Sequence, residues 1–290
     1  MIYNINGESI NKAYSSESQL SVAYDINGNQ VWSAEPSDLK VMTFNVQHFE
    51  GMNSQADMMA DIFGTYDADI IGFQECVSGL SNIPSAIRSS LSDYPNTFFS
   101  SHYNYNAVFS KIALQNAIAQ DYNTQDSAEV SNWGETRCYI KCYLNVGGKT
   151  VCWLNTHLCV TTASSKYDQM AELFALAEQE EYCILTGDFN QHSTQTSDAG
   201  WQNMYKRFVD AGYNLANCKD DNHYVWTFSP KTTATGLDDT SAFYAPNAPD
   251  NIITSSNITI DNIVFDEIKL EYLDGNTIDH VGIVANLIIT

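Results

Sequence analysis

The stretch "CILTGDFNQH", residues 183–192, joins an apolar run to a group of polar side chains. Cys183, Ile184 and Leu185 have the character of a buried strand, and Asp188 and Asn190 follow within a few residues. Side chains two residues apart in an extended chain point to the same side. A buried strand therefore ends by presenting a carboxylate and a carboxamide in one direction. Buried polar groups of this kind cost free energy unless they pair with each other, a metal or a substrate.

Other apolar strands meet polar side chains in the same way. The runs "LKVMTFN", "IIGFQE" and "VCWLNTH" each end in such residues, and "IDHVGIV" begins with them. One polar strand end is more often a turn or a helix cap than part of a site. Five polar strand ends in one chain predict that the side chains at these ends lie together in a shared cleft. These further side chains are Asn45, Glu75, Asn155, His157, Asp279 and His280.

From Leu39 onward the apolar pattern predicts an α/β domain. Alternating strands and helices give way to pairs of strands, which indicates a mixed sheet or two packed sheets. We expect helices over 54–66 (with Ser54 as N-cap), 80–91, 163–179 and near 200–210. Strands are expected near 39–46, 68–75, 96–100, 105–110, 112–118, 136–146, 150–158, 182–186, 258–266, 268–273 and 280–289. Residues 214–256 read as a long polar segment.

Residues 1–36 have a different pattern. "YNINGESI" (3–10) and "YDINGNQV" (24–31) are near-copies, each with alternating apolar residues around an Asn-Gly pair. That combination is a strong hairpin signal. We therefore expect an N-terminal β-hairpin arm over 1–36, followed by a catalytic domain over 37–290. A short β arm is favoured over a binding module, and self-association or docking through the arm stays open.

Composition limits the classes of function. Thirteen Lys and Arg against 35 Asp and Glu give a net charge of −22 in 290 residues, whereas nucleic-acid binders normally carry a basic face. Phosphate chemistry on such a chain would need bound metal to offset the negative field.

No apolar run approaches a membrane span, and "MIYNINGESI" has no signal-peptide pattern. The seven cysteines predict buried, reduced thiols and a cytoplasmic location. Incorporation in a larger particle or non-classical release stays open.

The ordered blocks "TFNV", "FQE", "NTHL", "GDFN", "IDNIVF" and "DHVGIV" resemble the endonuclease/exonuclease/phosphatase family, the group of deoxyribonuclease I and the abasic-site endonucleases. The resemblance covers about residues 39–290. It implies a four-layer α/β sandwich, in which two mixed β-sheets pack face to face with helices outside. It also implies a metal-dependent hydrolase of phosphodiesters.

The resemblance implies a role for each polar strand end. Glu75 would be the main ligand of Mg²⁺, helped by Asn45 and Asp279, with Mn²⁺ or Ca²⁺ as substitutes. Asp188 would orient or deprotonate the attacking water, and Asn190 would hold this water or a phosphate oxygen. The other implied roles are two histidine donors, His280 and His157; a carboxylate that fixes the ring of His280, Asp261; and substrate-binding residues Arg137, Tyr105, Asn106 and Asn155.

Departures from the family pattern limit the substrate assignment. Ile278 precedes Asp-His where the family usually has Ser, and Cys76 follows Glu75 where abasic-site endonucleases have Thr. Gln191 and a missing proline-tryptophan signature argue against inositol-polyphosphate phosphatases. The first hypothesis is a Mg²⁺-dependent, DNase I-like endonuclease or exonuclease. The alternatives are a phosphodiesterase for a small molecule or lipid head group, and an interaction protein docked through its N-terminal arm.

Overall fold

The computed structural model describes residues 2–3, 9–10, 22–24, 30–33, 37–49, 56–101, 105–191, 195–221, 227, 248–265 and 280–290. The strands are β1 (Ile2–Tyr3), β2 (Ser9–Ile10), β3 (Val22–Tyr24), β4 (Gln30–Ser33), β5 (Ser37–Asn45), β6 (Ile70–Gln74), β7 (Asn96–Phe99), β8 (Ala107–Ser110), β9 (Gln115–Asp121), β10 (Cys138–Val146), β11 (Lys149–His157), β12 (Cys183–Asp188), β13 (Asn214–Leu215), β14 (Asp250–Thr254), β15 (Ile258–Phe265) and β16 (Ile283–Ile289). The α-helices are α1 (Ala56–Tyr66), α2 (Ser85–Ser90), α3 (Ser127–Trp133), α4 (Ala163–Ala177), α5 (Ala199–Met204) and α6 (Lys206–Asp210), and short 3₁₀ turns cover Gln47–Phe49 and Leu80–Asn82.

Twelve of the strands form two six-stranded sheets. The first sheet has the order β15-β16-β5-β6-β8-β7, and the second has the order β13-β14-β12-β11-β10-β9. Each sheet is mixed, because β5 pairs with β6 and β11 pairs with β12 in parallel while the other pairs are antiparallel. The two parallel pairs come from apolar runs buried on both faces, as is typical of parallel strands.

Three apolar clusters separate four layers. The central cluster lies between the sheets and includes Val41, Trp153 and Ile184. A second cluster packs α1 and α2 against the first sheet, and a third packs α4, α5 and α6 against the second. At the centre the sheets approach so closely that a Cβ at Gly72 would lie 2.4 Å from Asn155 Oδ1. The predicted four-layer sandwich is confirmed.

The short strands of the N-terminal segment pair as the two Asn-Gly repeats predict. β1 pairs with β2 and β3 pairs with β4, both antiparallel. These pairs confirm the hairpins of the arm, whereas the domain boundary between residues 36 and 37 stays a prediction.

Several elements differ from the predictions. α3 was not predicted, and the predicted helix near 200–210 is two short helices, α5 and α6. The segment 214–256, interpreted as polar, contains β13 and β14, and β14 is buried along its whole length. Ser54 and the predicted strand 268–273 lie outside the described residues.

All seven cysteines are buried and free, as predicted. Among the described residues, none of the helices is long and apolar enough to cross a membrane.

Candidate active site

The polar strand ends meet at one edge of the two sheets. Asn45 ends β5, Glu75 directly follows β6, and His157 and Asp188 end the parallel neighbours β11 and β12. Asp250 begins β14 and stands opposite Asp188 in the antiparallel register. Five polar residues distant in sequence therefore converge, because the carboxyl ends of both parallel pairs, and the start of the antiparallel β14, lie at the same edge of two sheets that pack face to face.

Asp188 lies at the centre of this group and is only 2% exposed. Its Oδ2 accepts a hydrogen bond from Asn45 Nδ2 at 3.0 Å and lies 3.6 Å from His157 Nε2 and 3.5 Å from His280 Nε2. Its Oδ1 accepts from the backbone N–H of Asn190 at 2.9 Å. Burial disfavours the charged carboxylate, but the two imidazoles and these donors outweigh it and hold the pKa of Asp188 at about 2.

Glu75 forms the more exposed side of the site. Its side chain is 26% exposed, and Oε1 accepts from Asn45 Nδ2 at 3.0 Å. His157 Nδ1 lies 3.8 Å from Oε1, and His48 Nε2 lies 3.8 Å from Oε2. Partial burial, with the charge of Asp188 nearby, raises the pKa of Glu75 above its ordinary value. His48 belongs to this site although the sequence analysis gave it no role.

His157 is buried between the two carboxylates. Burial, reinforced by the charge of Arg137, lowers its pKa to about 3, so the ring is neutral near pH 7. Its Nδ1 has no hydrogen-bond partner among the described residues. The ring therefore has an unused polar atom directed toward the Glu75 side of the site.

The carboxylate that orients His280 is Asp250, which corrects the prediction of Asp261. His280 Nδ1 lies 2.8 Å from Asp250 Oδ2, and both side chains are buried. Burial raises the pKa of Asp250 to about 6, against the opposing effect of His280. Asp261 is exposed and lines a surface groove with Asp67 and Asp69, which precede β6 at the opposite edge of the sheet.

The register explains this error. Phe265, at the far end of β15, pairs with Ile283. His280 lies beyond this pair in one direction, and Asp261 lies four residues before Phe265 in the other direction. The triplet Asp-Asn-Ile occurs twice, at 250–252 and at 261–263. Apolar residues run on from both triplets, so the sequence does not separate them, and only the structure shows that β14 is fully buried whereas β15 is largely exposed.

Asn155 is a structural link between the sheets, which corrects its predicted role in substrate binding. Its Nδ2 donates to Phe73 O at 2.9 Å and to Ala107 O at 3.1 Å. Its Oδ1 accepts from Gln74 Nε2 at 2.7 Å and from Thr186 Oγ1 at 3.0 Å. All four hydrogen-bonding positions of the amide are used and the residue is fully buried, so it presents nothing to a substrate.

Asn106 also connects the sheets, but its Oδ1 has no hydrogen-bond partner among the described residues, so its contact with substrate stays a prediction. It is fully buried, and Nδ2 donates to Cys138 O at 2.9 Å. Tyr105 lies beside the site: its carbonyl accepts from Cys76 N at 2.9 Å, and its ring meets the His48 ring edge-on at 5.9 Å. Contact between Tyr105 and substrate stays a prediction.

Arg137 reaches the active-site edge but is buried and paired. Nε donates to Glu129 Oε2 at 2.6 Å, and Nη2 donates to Glu135 Oε2 at 3.0 Å. Only Nη1 has no partner among the described residues. A phosphate contact from Arg137 would have to use that atom, and its substrate role stays a prediction.

One further predicted residue, Asn190, and one unpredicted residue, Lys166, also lie at the site. Asn190 has a left-handed backbone, with φ of 50°, and its Nδ2 donates to Leu158 O at 2.7 Å. The buried Lys166 on α4 donates from Nζ to Asn190 O at 2.5 Å, a contact that no sequence motif indicated. Asp279 lies outside the described residues.

Comparison with known proteins identifies the family. A sequence model of the endonuclease/exonuclease/phosphatase family matches residues 42–282. The chain belongs to this family. The match confirms the resemblance seen in the sequence, and with it the prediction of an enzyme, a metal-dependent hydrolase of phosphate esters. A comparison with curated protein sequences finds no match.

Solved structures of the family share the fold at low identity. A Bacteroides thetaiotaomicron family member has a TM-score of 0.65 at 14% identity, covering 89% of this chain and 97% of its own. TDP2 of D. rerio, complexed with a single-strand DNA product, has a TM-score of 0.62 at 15% identity. The match covers 87% of this chain and 99% of the TDP2 chain. A B. thetaiotaomicron mannosyl-6-phosphatase has a TM-score of 0.59 at 15% identity. The match covers 86% of this chain and 99% of the phosphatase chain. At these identities the likeness shows the fold alone.

The site residues fit the divalent metal that the family implies. Ligand atoms of Glu75, His157 and Asp188 lie within 4.8 Å of one another. The raised pKa of Glu75 indicates a carboxylate whose charge a cation would offset. Asn45 now directs Nδ2 at both carboxylates, and its Oδ1 accepts from Gln47 N at 3.1 Å. It would supply its oxygen to a metal only after the amide rotates, so its role as ligand stays a prediction.

Proposed function

We propose that the protein is a Mg²⁺-dependent phosphodiester hydrolase. The observation that carries this proposal is Asp188, a buried carboxylate surrounded by Asn45, His157 and His280 at 3.0 to 3.6 Å, with Glu75 beside it. Phosphodiester hydrolysis needs a held and activated water, and donors for the phosphate and the leaving oxygen. The group provides candidates for each of these roles.

The charge of each residue determines its role in the proposed reaction. Glu75, with help from Asn45 and Asp279, would hold Mg²⁺, which when bound supplies positive charge to a phosphate oxygen. Asp188 stays ionised because its pKa is about 2, so it orients the attacking water and accepts its hydrogen bond. Asn190, whose backbone N–H donates to Asp188, holds this water or a phosphate oxygen through its amide.

The two histidines act as donors. Asp250 fixes the tautomer and orientation of His280 by binding Nδ1, which leaves Nε2 directed at Asp188 and at the space where a phosphate would lie. A donor held in this direction can stabilise the negative charge that develops on phosphate. His157, neutral near pH 7, donates a hydrogen bond near the leaving group.

Two classes of phosphodiester are candidate substrates. Nucleic acid as the substrate is supported by the sequence resemblance to DNase I-like nucleases and by the fold shared with TDP2 in complex with a single-strand DNA product. A small phosphodiester is favoured by the net charge of −22, because binding of a polyanion relies on basic residues. A cytoplasmic location and docking through residues 1–36 remain part of the proposal.

The test compares wild type with Glu75→Gln on bis(p-nitrophenyl) phosphate over a Mg²⁺ titration, with an EDTA control. We expect Mg²⁺-dependent hydrolysis by wild type and a large rightward shift of the Mg²⁺ midpoint in the variant, because a direct carboxylate ligand is lost. Glu135→Gln, which changes a carboxylate paired with Arg137 outside the metal group, is the matched control. Near-normal rates of Glu75→Gln at limiting Mg²⁺ would overturn the metal assignment. Parallel assays with plasmid DNA, RNA and sphingomyelin rank the substrate classes.

A further inference from the structure

Exposed apolar side chains are concentrated at the active-site edge of the molecule. Seven large hydrophobic residues are exposed among the described residues. Four of them lie in segments that adjoin the active-site ends of the strands: Leu80 after β6, Val130 and Trp133 on α3, and Val160 after β11. Trp133 is the largest of these, and half of its surface is exposed. Among the described residues, more than half of the exposed large apolar side chains therefore lie in segments next to the site.

The position of α3 follows from the strands on either side of it. β9 ends at Asp121 and β10 begins at Cys138, and these two residues pair with each other. The next pair in the sheet, Tyr139 with Thr156, puts Cys138 level with His157. α3 connects the two strands at this edge, so it lies along the same end of the second sheet as the catalytic group.

α3 is also held rigidly against the site. The Asp126 side chain caps its first turn, and Gly134, with φ of 71°, ends it. Glu129 of α3 is buried, and its Oε1 accepts from Val160 N at 2.5 Å and Thr161 N at 3.0 Å in the loop that follows His157. Its Oε2 accepts from Arg137. α3 and that loop therefore form one hydrogen-bonded unit.

The exposed part of this unit is apolar rather than basic. Val130 and Trp133 are three residues apart and share one face of α3. The basic residues that this edge brings near the site, Arg137 and Lys166, are buried and bound to protein oxygens. A long polyanion would gain little charge compensation here, whereas an indole face on a rigid helix suits stacking with a planar ring.

We infer that Trp133 is a specificity-determining residue that binds a planar ring carried by a small phosphodiester, next to the phosphate held by the catalytic group. This inference rests on the proposed function and narrows its substrate class. Aryl groups and nucleobases are both candidates for this planar ring, since both present a flat face for stacking.

Calorimetric titration in Mg²⁺ tests the inference without requiring turnover. Phenylphosphonate and methylphosphonate carry the same head group with and without a ring, and adenosine 5′-monophosphate carries a nucleobase. Trp133→Ala should weaken phenylphosphonate binding by roughly 5- to 100-fold while leaving methylphosphonate unchanged, and Trp133→Phe should retain most of the ring preference. A larger loss for the nucleotide than for phenylphosphonate would identify the ring as a nucleobase.

Ile118→Ala is the matched control, because Ile118 is also 50% exposed but lies in the middle of the edge strand β9. Unchanged phenylphosphonate binding by Trp133→Ala would overturn the inference. An equal loss for both phosphonates would overturn it as well, since that result indicates a general structural effect. If ring-dependent binding is seen and no diester is hydrolysed, the proposed function fails while the ring site stands.

Discussion

His280 and Asp250 form a 2.8 Å hydrogen bond across thirty residues of sequence, and Asp250 stands directly opposite Asp188 in the second sheet. The imidazole therefore lies between two carboxylates, with Nδ1 bound to one and Nε2 facing the other at 3.5 Å. A ring held in this way has a fixed tautomer and a fixed direction. Asp250 is thus the residue on which the donor role of His280 depends.

Asp250→Asn should lower kcat by about 100-fold with little change in fold, the upper end of what loss of a supporting carboxylate costs. The matched control is Asp261→Asn, which changes the same residue type in the other Asp-Asn-Ile triplet and should leave kcat unchanged. Both variants are assayed on bis(p-nitrophenyl) phosphate, with circular dichroism as the check on folding.

The coupling between Asp250 and His280 has its own test. Because two residues acting as one unit give non-additive losses, the penalty of Asp250→Asn should largely vanish in a His280→Ala background. Fully additive losses in kcat would contradict the coupling, and a strong effect of Asp261→Asn would restore the original sequence-based assignment.

Lys166 positions the turn that carries Asn190. Its Nζ is buried against Asn190 O at 2.5 Å, in a turn whose left-handed backbone needs support from its surroundings. Lys166→Met keeps the length of the side chain and removes the donor, so we expect kcat to fall by about tenfold, the equivalent of one hydrogen bond, with the Mg²⁺ midpoint unchanged.

Lys206→Met is the control for Lys166→Met, because Lys206 is exposed and pairs with Asp210 within one helix. It should leave kcat unchanged. A shift of the Mg²⁺ midpoint in Lys166→Met, with kcat preserved, would contradict a positioning role and indicate that Lys166 acts through the metal group.

The central strands were predictable because their signals are local, whereas the four-layer sandwich followed from the family resemblance. Buried runs such as "IIGFQ" and "CILTG" mark the central parallel strands, and polar residues at their ends mark the active-site edge. Glu75, His157 and Asp188 lie at such strand ends, and the structure brings their ligand atoms within 4.8 Å of one another. His157 and Asp188 end parallel neighbours of one sheet, and Glu75 joins them because the other sheet packs against it face to face.

The errors arise where the outcome depends on register and burial. Asp250 and Asp261 occur in the same triplet, and only strand pairing decides which of them faces His280. Asn155 lies in the site-like block "NTH", but its side chain points between the sheets and not into the cleft. Lys166 could not be recognised, because a lysine on an amphipathic helix ordinarily lies in solvent.

Asn155→Leu tests the structural role of Asn155 against its predicted substrate role. The substitution removes the donor that binds two buried backbone carbonyls, Phe73 O and Ala107 O, whereas Gln74 Nε2 keeps Thr43 Oγ1 and Gly72 O as partners. We expect the free energy of unfolding in urea to fall by about 2 kcal/mol or more, since each of the two carbonyls loses a buried hydrogen bond and a buried unsatisfied group costs about 1–3 kcal/mol. The KM of the folded enzyme should not change.

The control for Asn155→Leu is Asn262→Leu, on the exposed part of β15, which should stay within about 0.5 kcal/mol of wild type. If Asn155→Leu retains wild-type stability while KM rises, the amide contacts substrate and its interpretation as a link between the sheets is wrong.

Deletion of residues 1–36 tests the domain boundary and the arm together. The truncated chain would begin at Ser37, where β5 enters the first sheet and pairs with β16 through Ser37 and Ile289. Because every residue of the catalytic group lies beyond this point, hydrolysis of bis(p-nitrophenyl) phosphate should keep its wild-type kcat and KM. Sedimentation of the full and truncated chains gives the oligomeric state of each. A smaller assembly after truncation would support docking through the arm, whereas a folded but inactive truncation would show that the arm contributes to the active site.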